Sequence, residues 1–228
     1  MPESDSRDKI IDALMALAAK HPWNAVTLPA VAERAGVTLG ALRAAYDGRL
    51  AILADFTRRT DETVLARIDM DMAGEAPRER LFDVLFSRLE ELAPHKSAIG
   101  NLAEATRRDP LLALELNRIV TASMGWMLTA AGISAGGGRG ALRAQGLAFV
   151  WARVLRVWLA DDDPGLACTM AALDRQLRRA ERMAIRLDRI GGFVQRHRRP
   201  DAKRRAGEDA GKDAGKDEDR DLAEGHPS

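Results

Sequence analysis

The side chains best suited to chemistry lie close to the N-terminus, between Thr27 and Arg49. Thr27 and Thr38 carry hydroxyl groups that can bond phosphate oxygens. Arg43 and Arg49 carry guanidinium groups, which can clamp a phosphate or recognise guanine. The residues between them are mostly small or apolar. This combination favours binding to a polyanion such as DNA over catalysis.

The rest of the sequence shows no catalytic constellation and no metal-ligand spacing. His21, His95, His197 and His226 are scattered, and Cys168 is the only cysteine. Residues 161–163 are all aspartate and could suggest a cation site, but negative charge at the start of a helix explains them more simply. We therefore expect no enzyme activity, no metal and no cofactor.

The stretch Val26–Tyr46 is predicted to form two short helices joined by a tight turn. Thr27 can cap the first helix, and Pro29 suits its first turn. Gly36 provides a position where φ can be positive, and Thr38 can cap the second helix. Small residues allow the two helices to cross closely. The pattern is typical of a helix-turn-helix, whose second helix lies in the DNA major groove, and an ordinary helical corner is the alternative.

The sequence VAERAGVTLGALRAAYDGRLAIL resembles the TetR family of bacterial repressors. The shared features are a small-residue corner, a short recognition helix that ends in an aromatic residue, and a basic residue that opens the next helix. The resemblance covers roughly residues 7–56, and beyond them only the helical architecture matches. It implies an all-α, TetR-like fold with a DNA-binding head, and a ligand-responsive transcriptional regulator, a repressor.

Eight residues are the resulting candidates for DNA binding: Thr27, Thr38, Leu39, Ala41, Leu42, Arg43, Tyr46 and Arg49. Two positions depart from the family's pattern, since Arg43 stands where a tyrosine is usual and Ala44 where a polar or aromatic residue is usual. The first 50 residues carry as many acidic as basic side chains, so the head has little net attraction for a polyanion.

The chain is predicted to divide into a helix-turn-helix domain (residues 1–50), a helical ligand-binding and dimerisation domain (51–190) and a disordered charged tail (191–228). Apolar periodicity predicts helices at about 49–72, 78–92, 95–108, 111–131, 141–160 and 163–189. The helix over 111–131 is apolar on most sides, which indicates a central, buried position. A flexible loop is expected over 132–140.

An apolar cavity is expected in the larger domain, for an apolar small-molecule or lipid effector. The alternative is that each residue simply fills the core. The expected lining is Leu85, Phe86, Leu89, Ile99, Leu102, Leu116, Val120, Met124, Met127 and Phe149.

A homodimer is expected from the last two helices. Apolar residues of the final helix repeat at alternating spacings of four and three, which is a heptad seam. Such a seam can pack within one protomer or against a second copy, and we favour the second copy. The expected interface is Trp151, Leu155, Trp158, Met170, Leu173 and Leu177.

A second resemblance supports an alternative function. The sequence VWLADDDPGLACTMAALDRQLRRAERM is similar to the C-terminal helix pair of the lipid-binding proteins of ubiquinone biosynthesis, which share the TetR fold. Those proteins hold an isoprenoid or lipid and assist an enzyme, so the resemblance implies an accessory protein that does not bind DNA. The helix-turn-helix corner is the better preserved of the two patterns, and the regulator is ranked first.

Composition is consistent with a cytoplasmic protein. Of 228 residues, 35 are Lys or Arg and 34 are Asp or Glu, so net charge favours neither nucleic acid nor membrane. No signal peptide and no apolar run of membrane-spanning length is recognised. The tail begins with a basic block, RHRRPDAKRR, followed by an acidic one. We interpret it as solvated, with non-specific contact to DNA or another anionic surface as the alternative.

Overall fold

The computed structural model describes residues 2–68 and 74–197, in which the regular structure is helical, as predicted. Met1–Glu181 form one unit, and Arg182–Ser228 form a second, of which the described part is the end of the last helix. Nine α-helices lie in the described ranges: α1 (Pro2–Lys20), α2 (Leu28–Ala35), α3 (Leu39–Ala45), α4 (Arg49–Ala66), α5 (Pro77–Leu92), α6 (Lys96–Thr106), α7 (Pro110–Ala130), α8 (Gly137–Leu159) and α9 (Ala167–His197).

Several helix ends differ from the prediction. Helix α4 ends at Ala66, and residues 69–73 lie outside the described residues. The expected loop over 132–140 is shorter because α8 already begins at Gly137. Helix α9 starts at Ala167 and extends to His197, into the segment predicted as tail, whose residues 198–228 lie outside the described residues. None of the described helices combines the length and hydropathy needed to cross a bilayer.

The head consists of α1, α2 and α3 packed against the start of α4. The cap residues act as predicted: Thr27 Oγ1 accepts a hydrogen bond from Ala30 N (3.3 Å), and Thr38 Oγ1 accepts one from Ala41 N (3.1 Å). Between the two helices, Gly36 adopts φ 67°, a left-handed conformation that glycine reaches without steric cost.

The core of the head extends into the larger domain. Ile10, Leu14, Val31, Leu42 and Ile52 are buried together with three residues of α6 and α7. Those three residues are Ala98, Leu102 and Leu112. The side chain of Asn101 on α6 also donates to the carbonyls of Ala18 (2.8 Å) and Ala19 (3.3 Å). Both carbonyls lie in the last turn of α1, where acceptors need a partner from outside the helix. Helix α6 therefore completes both the core and the capping of the head.

A buried polar cluster joins three helices of the larger domain. Arg88 of α5 donates from Nε to Asp61 Oδ1 of α4 (3.0 Å) and from Nη2 to Ser123 Oγ of α7 (3.0 Å). Ser123 Oγ donates to Asp61 Oδ1 at 2.8 Å. The Arg88 guanidinium also lies 4.9 Å from the ring centre of Trp151 on α8. Burial raises the pKa of Asp61 and lowers the pKa of Arg88, so desolvation opposes both charges and their pairing offsets it.

The prediction that α7 is buried nearly all round is wrong. Leu111, Leu114 and Trp126 are 76%, 63% and 60% exposed. Only the face that carries Ser123, Met124 and Met127 is fully covered by neighbouring helices. The high apolar content of α7 therefore reflects an uncovered surface as well as a core.

The segment that joins α8 to α9 is held by the aspartates at 161–163. Asp161 Oδ2 accepts hydrogen bonds from Thr169 N (2.8 Å) and Thr169 Oγ1 (2.6 Å), and Asp163 Oδ2 accepts one from Ala167 N (3.3 Å). In the described residues no group of acidic, histidine or cysteine side chains has the arrangement of a metal site. These contacts favour the capping interpretation of the acidic cluster.

We predict that Arg88→Met lowers the free energy of unfolding by about 3–5 kcal/mol, because it leaves the Asp61 carboxylate buried without its partner. The measurement is urea denaturation followed by circular dichroism. The matched control is Arg67→Met, which removes a more exposed ion pair with Glu91 (2.9 Å) and should cost less than about 1 kcal/mol. Equal costs for the two variants would contradict a structural role for the buried cluster.

Candidate nucleic-acid interface

The outward face of α3, which we define as Leu39, Gly40, Arg43 and Ala44, is exposed to solvent. The Leu39 residue is 52% exposed and the Arg43 side chain 72% exposed. These residues lie on one side of the helix because positions three and four apart are neighbours on a helix surface. Ala41 is also exposed, at the edge of this face. A helix exposed in this way can enter a groove of DNA.

Two of the candidate DNA-binding residues are in the core. Leu42 is 1% exposed and Tyr46 is 5% exposed, so neither side chain can contact a DNA base in this conformation. Leu42 lies on the side of α3 that packs against the head, and the aromatic ring that ends α3 turns inward to reach α4. Two of the eight predicted residues therefore lie on the packed side of α3, and the contact of α3 with DNA stays a prediction.

Arg43 forms an exposed ion pair with the loop that follows α3. Its Nη1 atom donates to Asp47 Oδ1 at 2.6 Å, and the Asp47 side chain is 88% exposed. An ion pair between such exposed groups contributes little to stability. Its effect is instead to restrict where the guanidinium lies, beside the outward face of α3.

The two candidate threonines cap helices and remain exposed. The oxygens of Thr27 and Thr38 accept hydrogen bonds from backbone N–H groups, which leaves each hydroxyl hydrogen able to donate. A phosphate oxygen is a suitable acceptor for such a donor. The capping role and the predicted phosphate contact are therefore compatible.

Arg49, predicted to lie near phosphates, is instead used inside the head. Its Nη1 atom donates to the carbonyls of Trp23 (2.5 Å) and Val26 (2.6 Å), and its guanidinium lies 4.5 Å from the centre of the Trp23 ring. Partial burial lowers the pKa of Arg49. The chain between α1 and α2 has carbonyls that need donors, and Arg49 supplies them.

Asp55 of α4 fixes the end of α3. The Tyr46 hydroxyl donates to Asp55 Oδ2 at 2.5 Å, and Arg7 of α1 lies 3.7 Å from the same oxygen. Arg58 and Arg59 of α4 also pair with this carboxylate. Burial and the Asp55 charge raise the pKa of Tyr46 well above its ordinary value. The end of α3 is therefore bonded to α4 through a buried, charge-assisted hydrogen bond.

The predicted pocket residues divide between the two cores of the protomer and one exposed position. Leu102 and Leu116 pack with the core of the head, and Phe149 is 63% exposed. The remaining seven pack in or against the core of the larger domain: Leu85, Phe86, Leu89, Ile99, Val120, Met124 and Met127. Helical periodicity identifies apolar faces without showing which neighbour each face meets, and a ligand cavity among these residues stays a prediction.

A groove of about 590 Å³ lies between the start of α4 and the start of α7. Its walls include Trp23, Leu28, Leu50, Leu111 and Glu115. Sequence reasoning missed this groove because its two sides are distant in the chain and neither carries a recognisable motif.

Most of the predicted dimer interface is buried within the protomer. Trp151 and Trp158 are each 1% exposed, and Leu173 and Leu177 are 0% and 3% exposed. Leu155 is partly buried, and Met170 is 36% exposed. Leu173 and Leu177 of the heptad seam therefore pack in the core of the larger domain. Four of the six residues are not available to a second copy. The exposed large apolar residues of α8 are Leu142 and Phe149, at 64% and 63%.

Comparison with known proteins finds a family match within the first 55 residues. Residues 10–55 match the family model described as bacterial regulatory proteins, tetR family. The repressor KstR of Mycolicibacterium smegmatis is 31% identical over 117 residues, which are 51% of this chain and 50% of the relative. KstR of Mycobacterium tuberculosis is 30% identical over 117 residues, 51% of this chain and 47% of that protein. The chain thus spans about half the length of the curated relatives it matches.

Solved structures share the fold. A TetR transcriptional regulator from Nitrosomonas europaea superimposes with a TM-score of 0.60 at 20% identity, covering 77% of this chain and 97% of that one. One from Rhodococcus sp. RHA1 gives 0.56 at 17% identity, covering 79% and 97%. These matches are to regulators and repressors, and they lend no support to the alternative of a lipid-binding protein of ubiquinone biosynthesis.

We predict that Tyr46, the only tyrosine of the chain, ionises at a higher pH in the folded protein than in the unfolded chain. The raised pKa means that the folded state holds the phenolic proton more tightly, so this stabilisation is lost as the pH rises above about 10. Tyrosinate absorbance, titrated in buffer and in urea, measures the difference. Asp55→Asn should bring the folded midpoint closer to the unfolded one, and coincident midpoints in the unmodified protein would refute the buried hydrogen bond.

Proposed function

We propose that the chain is a transcriptional repressor that binds DNA as a homodimer, because residues 10–55 match the family model described as bacterial regulatory proteins, tetR family. The observation that carries this proposal is the exposed outward face of α3 on a head whose opposite side is bonded to α4. A repressor acts on the chromosome, so the proposed function implies a cytoplasmic protein. The similarity to the KstR repressors supports the direction of regulation.

DNA binding would use the recognition helix α3 in the major groove, with Thr27 and Thr38 donating to phosphates. Arg43 is the exposed cation of α3, and Arg34 lies near the end of α2. Because the head carries little net positive charge, affinity would depend on geometry and on both heads of a dimer. Two heads would contact half-sites about one helical turn apart.

Dimerisation would use the outward surface of α8 together with the start of α9. Leu142 and Phe149 are seven residues apart, so they lie on one face of α8, and both are largely exposed. Met170 offers a partly exposed apolar contact on α9. This surface replaces the predicted interface of buried tryptophans and leucines.

Regulation would come from an apolar small molecule bound in the larger domain. The core near Arg88 contains Leu85, Met124 and Met127, and methionine side chains adapt readily to a new neighbour. A ligand that separated α5 or α7 from α4 would disturb the bonds of Asp61. Since α4 also holds Tyr46 through Asp55, such a shift would change the position of α3.

The direct test of the proposed function is binding to a DNA fragment from upstream of the chain's own gene. Arg43→Ala should weaken specific binding by about 1–3 kcal/mol, roughly 5- to 150-fold. The readout is a gel shift with competitor DNA. Arg118→Ala is the matched control, because Arg118 lies on α7, is 78% exposed and pairs with Glu115 one turn away. Equal losses for both variants would count against α3 as the recognition element.

The dimer surface is tested by Phe149→Asp, which places a charge on an exposed apolar position of α8. We expect a monomer in analytical ultracentrifugation with unchanged helical content by circular dichroism. DNA binding should be weaker because each head would then bind alone. Leu114→Asp is the control, since Leu114 on α7 has the same 63% exposure. A dimer that persists in Phe149→Asp and dissociates in Leu114→Asp would place the interface on α7 instead.

A further inference from the structure

We propose that the outward face of α3 recognises a half-site in which thymines lie beside a single guanine. In this reading Leu39 and Ala44 contact thymine methyl groups, Arg43 donates to guanine, and Gly40 allows the helix backbone to lie close to the bases. The inference rests on the proposed function, and it adds the chemical class of DNA that the protein binds.

The side chains of this face limit what it can recognise. Only Arg43 carries hydrogen-bond donors, since Leu39 and Ala44 are apolar and Gly40 has no side chain. In the major groove the apolar group that distinguishes one base from the others is the C5 methyl of thymine. A face with one guanidinium group and two apolar side chains therefore favours a site with one guanine and neighbouring thymines over a run of G·C pairs.

Asp47 prepares Arg43 for this contact. The carboxylate accepts from Nη1 at 2.6 Å, which leaves Nε and Nη2 to donate to the O6 and N7 atoms of guanine. Because Asp47 follows α3 directly, it holds the guanidinium beside the end of the helix.

Gly40 has no structural explanation within the protomer. A Cβ atom at this position would meet only Thr38 Oγ1, at 3.9 Å, and the residue is not among those with positive φ. Glycine in a helix costs roughly 1 kcal/mol relative to alanine. What glycine permits is close approach of the backbone to a ligand. Its place in the middle of the outward face of α3 points to the DNA bases as that ligand.

The test begins with selection of duplexes from a random pool, followed by substitution of single bases in the selected half-site. Replacing a contacted thymine by uracil removes only the methyl group and should weaken binding about three- to fourfold. Replacing the guanine by 7-deazaguanine should weaken it roughly 5- to 100-fold. Leu39→Ala should abolish the uracil effect at its own thymine, and Arg43→Ala should abolish the 7-deazaguanine effect.

The outcomes separate the two proposals. Failure to select any sequence would overturn the repressor function and, with it, this readout. In one contrary result, the selected half-site binds equally well after thymine is replaced by uracil; in another, it contains no guanine that binding requires. Either result would overturn the proposed base contacts and leave the repressor function standing. Loss of both base effects in the matching variants would establish the contacts.

Gly40→Ala tests the close approach independently of the base substitutions. The variant should melt at the same or a higher temperature and bind the selected duplex at least about fivefold more weakly, because the new methyl group would meet the DNA. Gly125→Ala is the control: it lies on α7, where a Cβ meets nothing within 4 Å, and it should leave DNA affinity unchanged. Unchanged DNA affinity in Gly40→Ala would overturn the close approach.

Discussion

The structure depends on the polar groups that hold helix α4. Arg49, Asp55 and Asp61 occur at intervals of six residues, and an α-helix turns about 100° per residue, so the three side chains point to different sides of the helix. Arg49 bonds the chain before α2, Asp55 bonds the end of α3, and Asp61 bonds α5 and α7. A helix held from several sides cannot rotate or slide without breaking a buried polar contact, each of which is costly to leave unsatisfied.

Local chemistry made the head predictable. The cap threonines, the first-turn proline and the left-handed Gly36 each specify a backbone feature through their immediate neighbours in the chain, and all were found in their expected roles. The inward positions of Leu42 and Tyr46 were not predictable in the same way. In so short a helix, with small residues on most sides, periodicity does not show which face packs, and the partner of Tyr46 lies on a different helix.

The larger domain was predictable as a set of helices but not as a set of contacts. A heptad seam shows that a helix has an apolar stripe. The same stripe can pack equally well in the core of one protomer or against a second copy. Here the protomer itself covers Trp151, Trp158 and Leu173. In the same way, the expected pocket residues were correctly identified as mostly apolar and interior, yet they divide between two cores because sequence order does not determine which helices meet.

The contribution of α6 to the head has a consequence for how this protein can be divided. Asn101 covers the carboxyl end of α1, and Leu102 and Leu112 complete the core around Leu14 and Ile52. A fragment that ends after α4 would lose these contacts. The apolar side chains that α6 and α7 cover would then be exposed to water. The head is thus not a self-contained unit, and a fusion that transfers it to another protein would have to include α6 and the first turn of α7.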